Sequence, residues 1–268
     1  MGASSPLVIA VAQPRCVPGD AVANAAAHAD AVRSASARVV AFPEMSLTGY
    51  MFDAPAVAGD DAVLESIVAA CGDTGSLALV GAPVEASGQR SIGVLAVDGD
   101  GARVAYRKMF LGGAEPGYFT PGIEPAVVEV DGWRLGLAIC KDTGVPEHAA
   151  RTCALRVDAY VAGVLEFPED AAVPEERARR IAAEHEVWVA IASFAGRAGG
   201  GYEAAPGGSG LWRPDGAVQA RAGAEPGAVA RVALEPIGDT GDAAGPSRQP
   251  ATPPGGPDSL SGLPPTDL

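Results

Sequence analysis

Short apolar runs broken by Gly, Pro, Asp and Ser recur along the chain, and their spacing predicts strands over 7–12, 38–42, 77–81, 92–97, 127–130, 134–139, 159–164, 187–193 and 228–232. Between several of them the pattern changes to a helical one. The Ala-rich stretch 21–36 has Asp20 as its N-cap, 61–71 is shorter, and 146–157 and 174–185 each open on the Pro that suits a first helical turn. The runs 92–97 and 103–107, joined through Asp98-Gly99-Asp100-Gly101, read as a hairpin. Strand–helix–strand units mixed with hairpins predict an α/β fold with mixed sheets covered by helices. From Gly238 to Leu268 the periodicity vanishes into Pro, Gly, Asp, Ser and Thr. The expected organisation is therefore one folded domain over 1–237 and a flexible Pro/Gly-rich tail over 238–268.

Composition narrows the partners. A formal charge of −14 repels polyanions, so nucleic acid is not an expected partner. No apolar run approaches the roughly 20 residues of a membrane span, and the N-terminus has neither a secretory pattern nor a myristoylation pattern, since Pro6 stands where Ser or Thr is needed. The four cysteines, Cys16, Cys71, Cys140 and Cys153, show no CxxC pair and no His at zinc spacing. Free thiols in a reducing cytoplasm are expected, with no metal site.

The usual signatures of serine hydrolases, phosphate loops and zinc proteases are missing, and the three histidines (His28, His148, His185) all fall in helix-like stretches. Cysteine chemistry here would need a base other than His. The lysines point to one arrangement. Lys occurs only at 108 and 141, whereas the other 17 of the 19 Lys and Arg positions are Arg. An ammonium is a compact point charge that guanidinium does not replace. Lys108 follows the run 103–107, and Lys141 follows Cys140 at the end of the run 134–139. Glu44 follows the run 38–42 and Pro43 in the same way. Open α/β sheets place their sites at such strand ends, so the three side chains could converge.

The residues that carry these features resemble the nitrilase superfamily. Phe42-Pro43-Glu44 with Gly49-Tyr50, then Tyr106-Arg107-Lys108, then Gly136 to Asp142 with Pro146-Glu147 and Arg151, follow that family's order of Glu, Lys and Cys. Val11-Ala12-Gln13-Pro14 resembles its opening strand, Glu115 to Gly122 the loop with a second glutamate, Arg177 to Glu184 its later helix, and Gly208 to Gly216 its final hairpin. The resemblance spans about residues 6–235 and implies a four-layer αββα sandwich.

It also implies a mechanism without metal or organic cofactor. Cys140 is the expected nucleophile, Glu44 the general base and acid, Lys108 the oxyanion stabiliser, and Glu115 the group that orients Lys108 or the substrate. Tyr50, Phe119, Lys141 and Asp142 are expected at the substrate pocket, the plain alternatives being packing for the aromatics and a turn-holding role for Asp142. Lys141 is unusual beside the nucleophile; its charge either depresses the thiol pKa or faces solvent. Cys16, Cys71 and Cys153 read as small core residues.

Cys140-Lys141-Asp142 resembles the Cys-x-Asp of amidase branches rather than the Cys-Trp-Glu of true nitrilases, which favours a small amide substrate. Carbamoylase branches carry an Arg pair where this chain has Thr143-Gly144. Ser193-Phe194 stands where many relatives have Asn, and Arg156-Val157 replaces Gly-Ala at a surface used for dimerisation. A homodimer is expected by analogy alone. The competing readings are a nitrilase, an acyl-transferring relative, and a catalytically silent binding protein on the same fold.

Overall fold

A computed structural model describes residues 5–86 and 88–236. The tail expected over 238–268 lies outside the described residues. In chain order the elements are β1 (Leu7–Ala12), α1 (Ala21–Ala35), β2 (Val39–Ala41), α2 (Glu65–Thr74), β3 (Leu77–Ala86), β4 (Gln89–Asp98), β5 (Gly101–Arg107), β6 (Val127–Val130) and β7 (Trp133–Ile139). They continue with α3 (Pro146–Cys153), β8 (Ala159–Val164), α4 (Val173–His185), β9 (Trp188–Ser193), β10 (Ala195–Gly196), β11 (Ala205–Pro206), β12 (Gly210–Trp212), β13 (Val218–Arg221) and β14 (Val229–Leu234).

Two six-stranded mixed sheets result, ordered β14-β1-β2-β3-β4-β5 and β13-β12-β9-β8-β7-β6. Strands β1, β2 and β3 run parallel, as do β7, β8 and β9, because a helix or long crossover separates each successive pair. Alternation then sorts the side chains. Ile9, Val11, Val39 and Leu79 of the first sheet meet Leu135, Leu137, Ile139 and Val161 of the second in a common core. The opposite face of the first sheet, with Ala10, Val40, Ala78 and Val80, buries Ala25, Ala29 and Val32 of α1 and Ile67 and Ala70 of α2. The outer face of the second sheet, with Ala138, Tyr160, Ala162 and Ile191, covers Ala149 of α3 and Ala178, Ile181 and Ala182 of α4. This is the expected αββα sandwich of the nitrilase superfamily. Small residues on both helix layers let helix and sheet approach closely.

Local chemistry explains most boundaries. Asp20 caps α1 by accepting from the Ala23 N–H at 2.9 Å, and Ser36 ends the helix in the left-handed region. The helix expected over 61–71 begins as a 3-10 turn (Ala62–Leu64) capped by Asp61 and becomes α-helical only from Glu65. The stretch 146–157 is helical only to Cys153, since Arg156 takes a φ of 57° and turns the chain into β8.

Strand β3 runs past Gly81 and Pro83, which read as punctuation in the sequence. Its β2 neighbour pairs only as far as Leu79; beyond that point loop residues take the edge, Leu47 N–H donating to the Gly81 oxygen and Val57 N–H to the Pro83 oxygen, so Pro83 has only to accept there. Among the described residues no helix is long and apolar enough to cross a membrane.

Candidate active site

Three strand ends deliver the chemistry. Glu44 follows β2 through Phe42-Pro43, and its backbone is gripped between the two sheets. A Cβ added to Gly81 of β3 would stand 2.3 Å from the Pro43 oxygen, and one on Gly163 of β8 would stand 2.5 Å from the Phe42 oxygen. Only glycine leaves room for the segment at both places. Lys108 continues β5, its N–H donating to the Ile92 oxygen at 2.8 Å. Cys140 caps β7 and opens a 3-10 turn (Cys140–Gly144), with a φ of 42°. A non-glycine residue in that region costs on the order of 1–3 kcal/mol, which the surrounding bonds must offset.

Those bonds come from Asp142 and Thr143. Asp142 is fully buried and accepts from the Ile139 N–H at 2.9 Å, the Phe110 N–H at 2.9 Å and the Tyr106 hydroxyl at 2.8 Å. The Thr143 hydroxyl donates to the Cys140 oxygen at 2.6 Å. Behind Tyr106, His148 bridges its hydroxyl and that of Tyr160 at 2.8 and 2.9 Å. Asp142 thus holds the nucleophile turn and the strand end near Lys108. Its carboxylate is committed to protein donors, which fits the turn-holding role rather than contact with substrate.

The Lys108 ammonium donates to Glu44 Oε1 at 2.7 Å and to Glu115 Oε1 and Oε2 at 2.7 and 2.9 Å. Glu44, Lys108 and Glu115 are 2%, 1% and 1% exposed, so these ion pairs work at low dielectric. Glu115 further accepts from the Gly112 N–H at 2.6 Å and from the Tyr50 hydroxyl at 2.6 Å.

Two carboxylates share one ammonium. Burial, opposed by Lys108 and reinforced by Glu115, pushes Glu44 up to about 7. Burial alone would lower Lys108, but Glu44, Cys140 and Glu115 outweigh it and hold the amine protonated. Burial and the Glu44 charge push the Cys140 thiol up, with Lys108 pulling the other way. Cys140 rests as a thiol, and its Sγ lies 3.5 Å from the Leu165 oxygen. Glu44, which titrates near neutrality, is able to take up and return a proton at the pH where such a group works.

The remaining expectations separate. Tyr50 touches the cluster through Glu115 and borders a hollow of about 290 Å³ together with Phe52, Tyr118 and Gly200. Phe119 is buried edge-on to Phe52, its centroid 5.6 Å away, with the Arg90 guanidinium 5.1 Å from its own ring centre. It packs rather than lining open space. Lys141 is exposed and donates to the Leu111 oxygen at 2.7 Å. Of the two readings of Lys141 the solvent-facing one fits this exposure, and its bond to Leu111 also clamps the loop that leads to Glu115.

Sequence reasoning missed Glu166, Arg177 and Tyr202. Glu166 sits two residues beyond β8, the same placement that singled out Glu44 and Cys140, and that signal was available. Tyr202 lies just past Gly199-Gly200-Gly201, where no period exists, and stacks on Phe167 with centroids 4.1 Å apart.

Known proteins share this chain's family and fold. The carbon-nitrogen hydrolase family matches residues 8–241. A relative from Pseudomonas protegens, described as a hydrolase in the pqqF 5' region, is 30% identical over 178 residues, covering 63% of this chain and 62% of its own length. A Cys-to-Ala mutant of the amidase from Nesterenkonia sp. AN1 in complex with butyramide superposes with a TM-score of 0.77 at 27% identity, covering 86% of this chain and 91% of that one. A Glu-to-Gln mutant of the same amidase, with acrylamide added at its active-site cysteine, gives 0.76 at 26% identity over 85% and 93% of the two chains. Family match, fold and strand-end chemistry converge: this chain belongs to the carbon-nitrogen hydrolase family.

Proposed function

We propose that the protein hydrolyses the carbon–nitrogen bond of a small amide through a thioester on Cys140. The observation that carries the reading is the buried contact of Lys108 with Glu44 and Glu115 beside a strained, strand-end cysteine. Glu44 takes the thiol proton as sulfur attacks the carbonyl carbon. The carbonyl oxygen becomes an oxyanion, stabilised by the Lys108 ammonium and the backbone N–H of Lys141 at the start of the 3-10 turn. Glu44 then gives its proton to the amide nitrogen, the C–N bond breaks, and ammonia or an amine leaves. Water attacks the thioester with Glu44 as base, the acid departs, and the thiol is restored. Glu115 and Tyr50 hold Lys108 in register throughout.

The Cys-x-Asp sequence supports an amide over a nitrile, and the Nesterenkonia amidase seen with butyramide and acrylamide supports a short acyl chain. Ammonia release from short aliphatic amides and chain-matched nitriles, with Cys140→Ala as control, tests the reading. Amide turnover that Cys140→Ala abolishes is the expected result. Turnover of nitriles alone, or of neither substrate, would refute it.

A further inference from the structure

A second circuit of contacts, separate from those that join Lys108 to Glu44 and Glu115, surrounds Cys140. The Cys140 Sγ contacts the Leu165 oxygen at 3.5 Å, and the next residue is Glu166. Glu166 Oε1 accepts from Arg177 Nη1 at 3.3 Å, the same nitrogen approaches Thr143 Oγ1 at 3.5 Å, and that hydroxyl donates to the Cys140 oxygen. Arg177 is packed in place, because a Cβ on Gly144 would stand 3.0 Å from its Cζ. Arg180 fixes the turn from the same helix, donating to the Thr143 oxygen at 2.8 Å.

Glu166 is the unusual member. Its side chain is only 14% exposed, yet among the described residues its sole ionic partner is Arg177, through one oxygen at a long distance. Its second oxygen accepts no hydrogen bond among the described residues. Glu166 directly follows Leu165, whose oxygen touches the Cys140 Sγ, and its charge is felt at Cys140, Lys108 and Tyr202. Burial raises its pKa, with Arg177 opposing. The formal charges of Glu44, Glu115 and Glu166 against Lys108 and Arg177 leave the site negative. An anionic acyl chain would add repulsion there, whereas a cation would relieve it.

We infer that Glu166 is a specificity-determining residue, receiving the ammonium or another cationic donor group of the acyl chain, so that the preferred substrates are amides of amino-substituted acids. This deepens the amide-hydrolase reading and rests on it only for the word substrate.

The test uses the full chain and does not depend on turnover. Cys140 is alkylated with neutral iodoacetamide, cationic 2-bromoethylamine and anionic iodoacetate. Rates are read by mass spectrometry of the Cys140 peptide and normalised to the same reagents on free cysteine. The cationic reagent is expected to be favoured over the anionic one by about tenfold, the factor that one charge contact of ~1.4 kcal/mol produces. Glu166→Gln should lower the cation-to-neutral ratio several-fold, and Glu166→Asp should restore most of it.

A normalised ratio that is flat or favours the anion in the native protein overturns the inference, and so does a ratio that Glu166→Gln leaves unmoved. Matched amides with neutral, ammonium and carboxylate termini extend the same comparison to kcat/KM. Loss of charge preference with amide hydrolysis intact defeats this inference alone, whereas absent amide hydrolysis with the alkylation preference intact defeats only the proposed reaction.

Discussion

Gly163 lies in one sheet and Glu44 just past the end of β2 in the other, yet a Cβ on Gly163 would stand 2.9 Å from the Glu44 nitrogen. Glu44, the proposed general base, is therefore placed by what the other sheet lacks. Gly163→Ala is expected to push the 42–45 segment away, and a displacement near 1 Å at a catalytic group can cost about 100-fold in rate. Steady-state kinetics beside thermal unfolding check this. A drop in kcat of at least tenfold with the fold retained is the expected outcome, and wild-type kcat would show that the segment is held by something else.

The Lys108 ammonium sits in a slot lined by two carboxylates, Glu44 and Glu115, that accept from it. Lys108→Met should lower kcat by at least 10²–10³-fold, the usual range for one oxyanion donor. Lys108→Arg should fail to restore it, because a planar fork does not fit a site built for a compact ammonium. Rates for both variants on one short amide decide the point, and recovery with Arg would contradict it.

The acid limb of activity should follow Glu44. The base must be ionised, so kcat/KM is expected to rise with pH through a midpoint of about 7. The Glu115 charge pushes Glu44 upward, and Glu115→Gln should therefore move that midpoint to lower pH while also reducing kcat. An upward move would invert the assigned electrostatics.

Stability should show the same group from the other side. Glu44 has its affinity for protons raised on folding, so its favourable contribution is complete below the ordinary carboxylate range and disappears as pH rises through about 7. Glu44→Gln stays neutral at every pH. Its Tm is expected to exceed wild type by about 2–4 °C at pH 8.5, the effect of about 1 kcal/mol in a domain of this size, with the gain vanishing near pH 4.5. Calorimetry at the two pH values tests this, and a larger gain at the acid end would reverse the sign.

Lys141 acts through its neighbour loop. Its ammonium holds the Leu111 oxygen, and the adjacent Gly112 N–H holds Glu115. Lys141→Met should lower kcat several-fold while leaving the pH midpoint of Cys140 alkylation in place. A shifted midpoint would return the residue to the role of thiol activator.

Much of this protein is written locally. The runs 38–42, 103–107 and 134–139 mark strands, and the candidate residues Glu44, Lys108 and Cys140 stand just beyond their ends, since a strand's termination needs only its own few residues. Asp20 and Pro146 mark helix starts for the same reason. Tertiary structure alone decided that Glu115 grips Lys108, that Asp142 turns inward to backbone donors, that Lys141 turns outward to Leu111, and that Glu166 meets Arg177. It also decided the two glycine gaps that seat Glu44. These contacts join separate elements and loops packed against one another, and a side chain's partner across such a gap leaves no period in the chain that carries it.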